Sequence, residues 1–247
     1  MALPPPAFFA TAEIKYTASA VPTPRSRITF IHTDVTDEAS VNAAFGAIGK
    51  AEGRIDVLLS NAGIGVSGAA ECTTMQDAKR QLDVNFFGLH ACVRAAVPLM
   101  RAHGGTILAT SSVAAVFAIP FQAFYSASKF AVNALVLALA NELKPFNIRV
   151  AAIMPGDVKT GFTGARVKAA RDDNYGQSVE KSVAVMEHDE QNGMGPEMIA
   201  KRFVALSLKK HPKVLSTVGL QYKFFCFLGK VLPIRLQNFI VGKMYIK

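Results

Sequence analysis

Short apolar runs alternate with longer amphipathic stretches along most of the chain. Apolar runs bounded by polar or turn residues predict buried strands, and stretches with a period of about 3.6 residues predict helices. The predicted strands cover residues 28–31, 55–60, 106–110, 149–154 and 214–218. The predicted helices cover residues 38–50, 75–103, 124–143 and 196–209. This alternation predicts an α/β fold, with a doubly wound parallel sheet that helices cover on both faces.

Two stretches interrupt the alternation and set the predicted domain boundaries. Residues 1–27 are rich in Ala and Pro, contain no glycine, and form an atypical N-terminal segment. We assign residues 28–220 to one α/β domain and residues 221–247 to a basic, apolar C-terminal segment. Within the domain, the polar and irregular stretch 161–195 has the composition of a mobile loop over a binding site.

Composition narrows the class of protein. The chain has 247 residues, of which 51% are hydrophobic, enough to bury a large core. Its three cysteines, Cys72, Cys92 and Cys226, are far apart, which argues against a disulfide framework and favours a reducing compartment. We expect neither a membrane-spanning helix nor a cleaved signal peptide, because no apolar run is long enough and no basic leader is present.

The net charge of +9 is concentrated near the C-terminus. Between Lys209 and Lys247 the chain carries eight basic residues and no acidic one, interleaved with phenylalanine and aliphatic residues. Such a segment is typical of peripheral contact with an anionic membrane surface. The alternative is a helix packed on its own domain or on a sister subunit, with solvated lysines. Nucleic-acid binding is not expected, because no recognised motif accompanies the charge.

Four residues are candidates for proton-transfer chemistry. Tyr125 and Lys129 lie four residues apart on a predicted helix and therefore share one face. An ammonium group beside a tyrosine favours the phenolate and lowers its pKa, which lets the phenol exchange a proton with a carbonyl or alcohol oxygen. Ser112 follows a strand at the carboxyl edge of the predicted sheet, where ligands bind in open α/β folds, and can hold the same oxygen. Asn85 can support a water in a proton relay near Lys129. Taken singly, each has a structural explanation as a chance spacing, a turn cap or a helix-interior residue.

The order and spacing of these residues resemble the short-chain dehydrogenase/reductase family. The matched motifs, in chain order, are Asp34-Val35, Asn61-Ala62-Gly63, Asn85, Ser112 placed thirteen residues before Tyr125, Tyr125-x-x-x-Lys129, and Pro155-Gly156-x-x-x-Thr160. The resemblance implies a Rossmann-like fold and NAD or NADP as the cofactor. It also implies a small carbonyl or secondary-alcohol substrate and a homo-oligomer.

The same resemblance assigns a role to each matched residue. It makes Tyr125 the acid/base, whose pKa Lys129 lowers while holding the cofactor ribose. Ser112 then positions the substrate, and Asn85 completes the relay. The implied cofactor-binding residues are Asp34 and Val35 at the adenine, Asn61, Ala62 and Gly63 beside the cofactor, Tyr125 and Lys129, and Pro155, Gly156, Val158 and Thr160 at the nicotinamide carboxamide. No metal ion is implied.

A second glycine pattern, from Gly63 to Gly68, spells G-x-G-x-x-G and is followed by Asp83. The dinucleotide fingerprint requires a helix that opens at the glycines and an acidic residue at the end of the next strand. Asp83 lies instead inside a predicted helix, two residues before Asn85. We therefore predict that this segment does not hold a pyrophosphate.

The glycine-rich loop that precedes Asp34-Val35 in the family has no counterpart in residues 1–27. These residues are also too few for a complete strand–helix–strand unit, which takes roughly 30 residues or more. We therefore predict an N-terminally truncated fold whose first such unit is absent or degenerate, with unpaired strand edges as a result. Residues 13–21 can supply one replacement strand. A further hypothesis is that a shift of the reading frame produced this N-terminus. One choice of codons for residues 14–21, read in another frame, encodes a strand that ends in a basic residue. A basic residue at that position favours NADP.

These observations lead to two hypotheses about function. The first is an oxidoreductase that interconverts a carbonyl and a secondary alcohol by hydride transfer with NAD or NADP. The second is a truncated, catalytically impaired relative that acts as a binding or subunit-association protein, since helices 75–103 and 124–143 resemble those that pair subunits in the family. We expect a cytoplasmic protein, with peripheral membrane contact through residues 221–247 as an alternative.

Overall fold

The structure is a computed structural model that describes residues 29–246, in two units that divide after His32. In the first unit, residues 29–32 form neither a strand nor a helix, so the strand predicted at 28–31 is wrong for the residues described. The predictions for residues 1–27, including the replacement strand at 13–21, lie outside the described residues.

The second unit contains six strands and eight α-helices within the described range. The strands are β1 (Val57–Ser60), β2 (Val66–Ser67), β3 (Gly105–Thr110), β4 (Ile148–Met154), β5 (Val167–Lys168) and β6 (Leu215–Thr217). The helices are α1 (Glu38–Glu52), α2 (Met75–Leu82), α3 (Gly88–Met100), α4 (Ala123–Glu142), α5 (Ser178–Gln191), α6 (Pro196–Ser207), α7 (Leu220–Val231) and α8 (Ile234–Tyr245). Strand and helix alternate through most of this region, as the sequence predicts.

The main sheet has four parallel strands in the order β1-β3-β4-β6. Ser60 pairs with Ala109, and Thr110 pairs with Ile153, so the carboxyl ends of the three longest strands meet at one edge. A second, two-stranded parallel sheet joins β2 to β5. The predicted α/β fold with a Rossmann-like parallel sheet is confirmed.

Alternate residues of the central strands enter two apolar clusters on opposite faces of the sheet. On one face, Ile107 and Ala109 pack with Val132 and Val136 of α4. On the other face, Leu108, Ala151 and Ile153 pack with Ile199, Phe203 and Leu206 of α6. A strand covered on both sides has to be apolar at every position, which explains the continuous apolar runs in the sequence.

Among the helices that the structure describes, α4 alone is long and apolar enough to cross a membrane, with a mean hydropathy of 1.4 over its most apolar window. Its Val132, Val136 and Leu139 lie in the core cluster against the sheet. Core helices of α/β proteins share this length and composition, and the packing accounts for both.

Two other predicted segments differ from the structure. The single helix predicted at 75–103 is divided by a π-helical turn, Asp83–Phe87, between α2 and α3. The stretch 161–195, predicted as irregular, contains β5 and the 14-residue helix α5. Only a narrow stripe of α5 is buried, including Val183 and Met186, so its mostly polar composition conceals the helical period.

The basic C-terminal segment forms two helices, α7 and α8. Tyr222 and Cys226 of α7 and Val241 of α8 are buried. The segment is therefore helical and packed along part of its surface, while many of its apolar side chains stay exposed.

Candidate active site

The four predicted catalytic residues come together at the carboxyl edge of the main sheet. Ser112 follows β3 and begins a short turn, where its hydroxyl accepts a hydrogen bond from the Ala114 amide at 3.1 Å. Tyr125 and Lys129 lie in the first turns of α4. The Ser112 hydroxyl is near enough to the phenol of Tyr125 to lower its pKa through a hydrogen bond. The serine and tyrosine can therefore hold one substrate oxygen between them.

Lys129 is buried beside this pair, with 4% of its surface exposed. Its Nζ donates to the Thr110 carbonyl at 2.9 Å and lies 5.6 Å from the centre of the Tyr125 ring. Burial lowers the pKa of Lys129 to about 8, because the charged form loses its hydration. The amine therefore titrates close to neutral pH.

The pKa of Tyr125 is raised to about 12, mainly by burial. The hydrogen bond from Ser112 and the charge of Arg166 lower it, whereas Glu190 and Asp157 raise it. The lowering by Lys129 that the sequence predicts is not found, since desolvation of the phenol dominates and the amine is bonded to the Thr110 carbonyl. The protein alone therefore keeps Tyr125 as a neutral phenol at ordinary pH.

Asn85 lies buried in the π-helical turn and links three elements. Its side-chain oxygen accepts from the Ile64 amide at 2.9 Å, and its Nδ2 donates to the Ile64 carbonyl at 3.1 Å and to Ser128 Oγ at 3.0 Å. Ser128 Oγ in turn donates to the Tyr125 carbonyl at 2.7 Å. Asn85 thus ties the turn to the helix that carries the tyrosine. π-Helical turns inside α-helices are frequent at functional sites.

Gln81, one turn before Asn85, has a related position that the sequence analysis missed. Its amide accepts from the Val66 amide and donates to the Ile64 carbonyl, both at 2.7 Å. Gln81 and Asn85 together fix the backbone from Ile64 to Val66. The four-residue spacing of two amides on one predicted helix was the available signal.

The Asn61-Ala62-Gly63 motif follows β1 and lies beside the catalytic group. Asn61 Oδ1 accepts from Thr110 Oγ1 at 2.6 Å. A Cβ at position 63 would lie 3.4 Å from Asn85 Oδ1 and 3.8 Å from Lys129 Nζ, so the glycine keeps the space next to the amine free. Asn61 and Gly63 are therefore adjacent to the candidate catalytic residues.

The Pro155-Gly156 motif follows β4 at the same edge of the sheet. The Pro155 carbonyl accepts from the Val113 amide at 2.9 Å, which fixes it beside the Ser112 turn. Gly156 leaves room for the ring of Tyr222, into which any Cβ would project. Val158 forms a bridge with Met194, and the exposed Thr160 accepts from the Phe162 amide at 3.3 Å.

Asp34 and Val35 lie apart from this group. The Asp34 carboxylate accepts from the Thr36 amide at 2.9 Å and from its hydroxyl at 2.7 Å. Val35 packs against Gly88 at the start of α3, where a Cβ would be 2.8 Å from the valine side chain. Val35 also lines a small pocket with Asp83, Phe87 and His90.

The glycine pattern from Gly63 to Gly68 opens no α-helix, in agreement with the prediction. Its Val66 and Ser67 form β2, which pairs with β5. At Gly65 a Cβ would lie 2.9 Å from the Phe162 ring, and at Gly68, where φ is +142°, it would collide with Ala169. The absence of side chains at Gly65 and Gly68 therefore lets the segment that contains β5 pack closely against this backbone.

That segment brings further residues to the site that the sequence analysis did not identify. The rings of Phe162 and Tyr125 are 5.8 Å apart. Arg166, whose side chain is inaccessible to solvent, forms an ion pair with Glu190 of α5. Arg166 and Glu190 are 24 positions apart in a polar stretch of the sequence. A single sequence does not distinguish such a buried ion pair from charged residues exposed to solvent.

The C-terminal helix α7 also reaches this region. The Tyr222 hydroxyl donates to the Asp157 carboxylate at 2.6 Å. Burial raises the pKa of Asp157, and burial with the Asp157 contact raises the pKa of Tyr222 to about 12. The boundary predicted at 220/221 therefore cuts a helix that packs on the site.

The site fits the nicotinamide end of a dinucleotide. The Lys129 ammonium has three N–H donors, of which described residues accept one, so two remain for ribose hydroxyls beside Gly63. Over the range that the structure covers, no three His, Cys, Asp or Glu side chains form a metal-binding group.

Comparisons with known proteins agree with this geometry. A family model described as short chain dehydrogenase matches residues 10–171. A 3-ketodihydrosphingosine reductase from Bacteroides thetaiotaomicron is 38% identical over 197 residues, which cover 78% of this chain and 73% of that protein. A short-chain dehydrogenase/reductase from Burkholderia phymatum in complex with NAD superposes with a TM-score of 0.70 at 25% identity, covering 79% of this chain and 72% of the other. An alcohol dehydrogenase from Thermococcus sibiricus, complexed with 5-hydroxy-NADP, gives a TM-score of 0.61 at 25% identity, covering 76% and 72%.

Proposed function

The chain belongs to the short-chain dehydrogenase/reductase family and is an oxidoreductase of that family, and we propose that it interconverts a ketone and a secondary alcohol with Tyr125 as the acid/base. A nicotinamide cofactor, when bound, supplies or accepts the hydride at the carbonyl carbon. The observation that carries this proposal is the cluster of Ser112, Lys129 and Asn85 around Tyr125 at the carboxyl edge of the sheet.

Tyr125 exchanges the proton at the substrate oxygen. Its pKa of about 12 keeps the phenol protonated at neutral pH, which suits proton donation to a developing alkoxide during ketone reduction. The Ser112 hydroxyl holds the same oxygen from the strand side. The reverse reaction needs the phenolate and is therefore favoured by higher pH.

Lys129 and Asn85 support this proton transfer. The two N–H groups of Lys129 that described residues do not accept bind the ribose hydroxyls of the cofactor. Asn85 holds the backbone at Ile64 and, through Ser128, the first turn of α4. The amide and the amine lie on either side of Gly63, where a relay water can pass a proton from solvent.

A conservative substitution at the phenol tests the proposal. Tyr125→Phe removes one hydroxyl and should lower kcat by about 10²–10⁴-fold, far more than it lowers cofactor affinity. Tyr175→Phe is the matched control, because this tyrosine bonds Glu71 away from the catalytic group. The assay follows reduced cofactor with 3-ketodihydrosphingosine, the substrate that the Bacteroides relative's name indicates, and with simple ketones. Wild-type turnover by Tyr125→Phe would overturn the assignment.

The choice between NAD and NADP is a separate proposal. We favour NADP, and this preference rests on the hypothesis of a shifted reading frame, in which one coding of residues 14–21 gives a strand with a basic end. A ligand at 100 times its Kd stabilises a protein by about 2.7 kcal/mol, so thermal melts with NADPH and NADH distinguish the two. A larger shift with NADH would reverse the preference, and no shift with either would contradict cofactor binding.

We also propose that the C-terminal helices contact an anionic membrane surface from the cytoplasmic side. The basic residues of this segment accompany exposed aromatic side chains, and Phe224 and Phe227 are each 58% exposed. Co-sedimentation with liposomes should increase with anionic lipid and weaken in Phe224→Ser/Phe227→Ser. Phe87→Ser, at a comparably exposed phenylalanine on another face, is the control. Binding indifferent to lipid charge would remove this proposal.

A homo-oligomer is the remaining proposal about partners. In the family, long helices such as α3 and α4 pair subunits, and α4 exposes Phe130 and Leu137. Light scattering should give a mass that is a multiple of 26.4 kDa. Phe130→Glu should then reduce the mass to that of a monomer, and a monomeric wild type would contradict the proposal.

A further inference from the structure

Tyr222 of α7 is a buried tyrosine that the proposed proton transfer does not use. It is 7% exposed, and its hydroxyl donates to the Asp157 carboxylate at 2.6 Å. Its aromatic ring packs on Gly156 so closely that any Cβ at position 156 would collide with it. One side chain thus contacts two consecutive residues of the segment that follows β4.

Two glycines determine where this aromatic ring lies. Gly156 is on one side of it, and Gly219, the residue before α7, is on another. At Gly219, φ is +85° and a Cβ would lie 2.8 Å from the Tyr222 ring, so a larger residue would be strained by the backbone and by the contact. The chain therefore lacks side chains at two distant positions where the ring of Tyr222 packs.

The segment after β4 is also held by the connection between α5 and α6. The Met194 amide donates to the Asp157 carbonyl at 2.9 Å, and the Lys159 amide donates to the Met194 carbonyl at 2.9 Å. These bonds fix the backbone of residues 157–159. Tyr222 adds a different restraint, because it holds the Asp157 side chain and packs on Gly156.

The Asp157 carboxylate lies among other negative charges. Burial raises the pKa of Asp157, and the charges of Asp189 and Glu190 raise it further, whereas the hydrogen bond from Tyr222 lowers it. A buried carboxylate is costly unless donors compensate for its lost hydration. The phenol therefore stabilises the charged side chain in the position that the structure shows.

The segment that Tyr222 contacts borders the site of hydride transfer. The Pro155 carbonyl accepts from the Val113 amide, next to Ser112, and the charge of Asp157 acts on Tyr125. A substrate oxygen between Ser112 and Tyr125 places the reacting carbon at this edge of the sheet. Hydride transfer requires the nicotinamide ring within about 3–3.5 Å of that carbon. The backbone after Pro155 therefore lies beside the space that the nicotinamide ring needs.

We propose that Tyr222 is a positioning residue for the nicotinamide ring, because it sets, through Asp157 and Gly156, the position of the backbone that borders this ring. The proposal rests on the proposed function, since that function brings the nicotinamide to this edge. It makes α7, the first helix of the basic C-terminal segment, a part of the cofactor site.

Two pairs of ligands isolate the nicotinamide end of the cofactor in equilibrium binding without substrate. NADPH differs from 2′-phospho-ADP-ribose by the nicotinamide group, and NADH differs from ADP-ribose in the same way. Calorimetry gives the Kd of each ligand, and the ratio of the two Kd values in a pair measures the contribution of the nicotinamide. The pair that wild type binds more tightly is used for the variants.

Tyr222→Phe keeps the aromatic ring on Gly156 and removes the donor to Asp157. It should weaken binding of the dinucleotide by about three- to tenfold, since it acts through one intervening residue. Affinity for the ligand without nicotinamide should stay within about twofold of wild type. Combining Tyr222→Phe with Asp157→Ala should change the Kd ratio no more than Asp157→Ala alone, because both substitutions remove the same hydrogen bond.

Cys226→Ala is the matched control. Cys226 is buried on the same helix, one turn after Tyr222, and its Sγ accepts from Thr217 Oγ1 at 3.5 Å. This substitution disturbs a different contact of α7, so the Kd ratio should remain within about twofold of wild type. Urea unfolding of both variants shows whether they lose comparable stability.

Three outcomes would overturn the proposal while leaving the proposed function intact: an unchanged Kd ratio in Tyr222→Phe, an equal change in Cys226→Ala, or additive changes in the double variant. The first two would show that Tyr222 only docks α7. Failure of wild type to bind either dinucleotide would refute the proposed function, and this proposal with it. Wild-type turnover by Tyr125→Phe would refute the assignment of the acid/base without altering the binding comparison, so the failures are distinguishable.

Discussion

The catalytic edge and the layer beside it differ in how completely their buried polar groups are bonded. At the edge, several buried polar side chains each have a hydrogen-bond partner on another element of the fold; these are Asn85, Ser111, Lys129 and Asn133. In the adjacent layer of β2, β5 and α5, three residues carry every unbonded buried side-chain atom found between residues 29 and 246; they are Ser67, Arg166 and Ser182.

The two regions therefore differ in how far the fold positions their polar side chains before a ligand binds. The edge is built on parallel strands whose ends are fixed by the sheet, so each of these side chains is held by a bond to another element, while Lys129 keeps two N–H donors for a ligand. The adjacent layer rests on a two-stranded sheet and one helix, and it keeps buried polar atoms that no described residue bonds. The sheet thus positions the candidate catalytic residues, whereas the outer layer contains the buried polar atoms that the described residues leave unbonded.

The largest expected effect comes from comparing two buried amides. Asn85→Ala should lower kcat/KM by about 100-fold or more, since it removes the link to Ser128 and the relay position beside Gly63. Gln81→Ala removes a similar clamp on the Ile64–Val66 backbone, and its activity should fall less than about tenfold, although both variants lose about 1–3 kcal/mol of stability. Steady-state kinetics and urea unfolding measure both quantities. Equal losses of activity would show that Asn85 acts only as a clamp.

Two serines of equal burial test the comparison of bonding directly. Ser111 and Ser67 are each 2% exposed, but Ser111 Oγ donates to Asn133 Oδ1 at 2.7 Å and Ser67 Oγ has no partner in the described region. Ser111→Ala should lower the free energy of unfolding by about 1–3 kcal/mol, and Ser67→Ala should leave it within about 1 kcal/mol of wild type or raise it. Urea denaturation of the two variants gives these values. Equal losses of unfolding free energy in the two variants would show that the two regions do not differ in how their buried polar groups are bonded.

The smallest expected effect is a pH dependence of the free energy of unfolding, which arises from Lys129 at the catalytic edge. Burial lowers the pKa of Lys129 from 10.5 to about 8, so between these values the unfolded chain binds more protons than the folded one. The free energy of unfolding therefore rises with pH in this window, and below it the penalty for burying the charge is constant. Relative to Lys129→Met, wild type should gain about 1.5 kcal/mol from pH 8 to 9.5. A difference between the two proteins that does not change with pH would contradict the lowered pKa.

Much of the site could be predicted because its residues have fixed places in the fold. Ser112 and Pro155 follow strands whose carboxyl ends must meet in a parallel sheet, and the spacing of Tyr125 and Lys129 places them on one helix face. The strand predicted at 28–31 is not found at residues 29–31, which are the part of it that the structure describes. The downward pKa shift of Tyr125 is also wrong, because spacing identifies a neighbouring charge but does not indicate the extent of burial.

The partners of Arg166 could not be predicted for a related reason. Arg166 and Glu190 meet only because β5 pairs with β2 and α5 packs beside it, contacts that depend on the tertiary fold. The pairing in turn needs Gly65 and Gly68, which in the sequence form a misleading nucleotide-binding pattern. Long-range contacts of this kind leave no trace in periodicity or composition.

The π-helical turn at Asp83–Phe87 has a consequence for how the chain tolerates insertions and deletions. Each residue of an α-helix advances the side-chain direction by about 100°, so removing one residue to straighten the turn would rotate all that follows by that angle. The Asn85 side chain would then point away from Ile64 or from Ser128, or the apolar face of α3 would turn away from the core. The extra residue sets the direction of one amide independently of the helices on both sides, and a deletion there would be far more harmful than most substitutions.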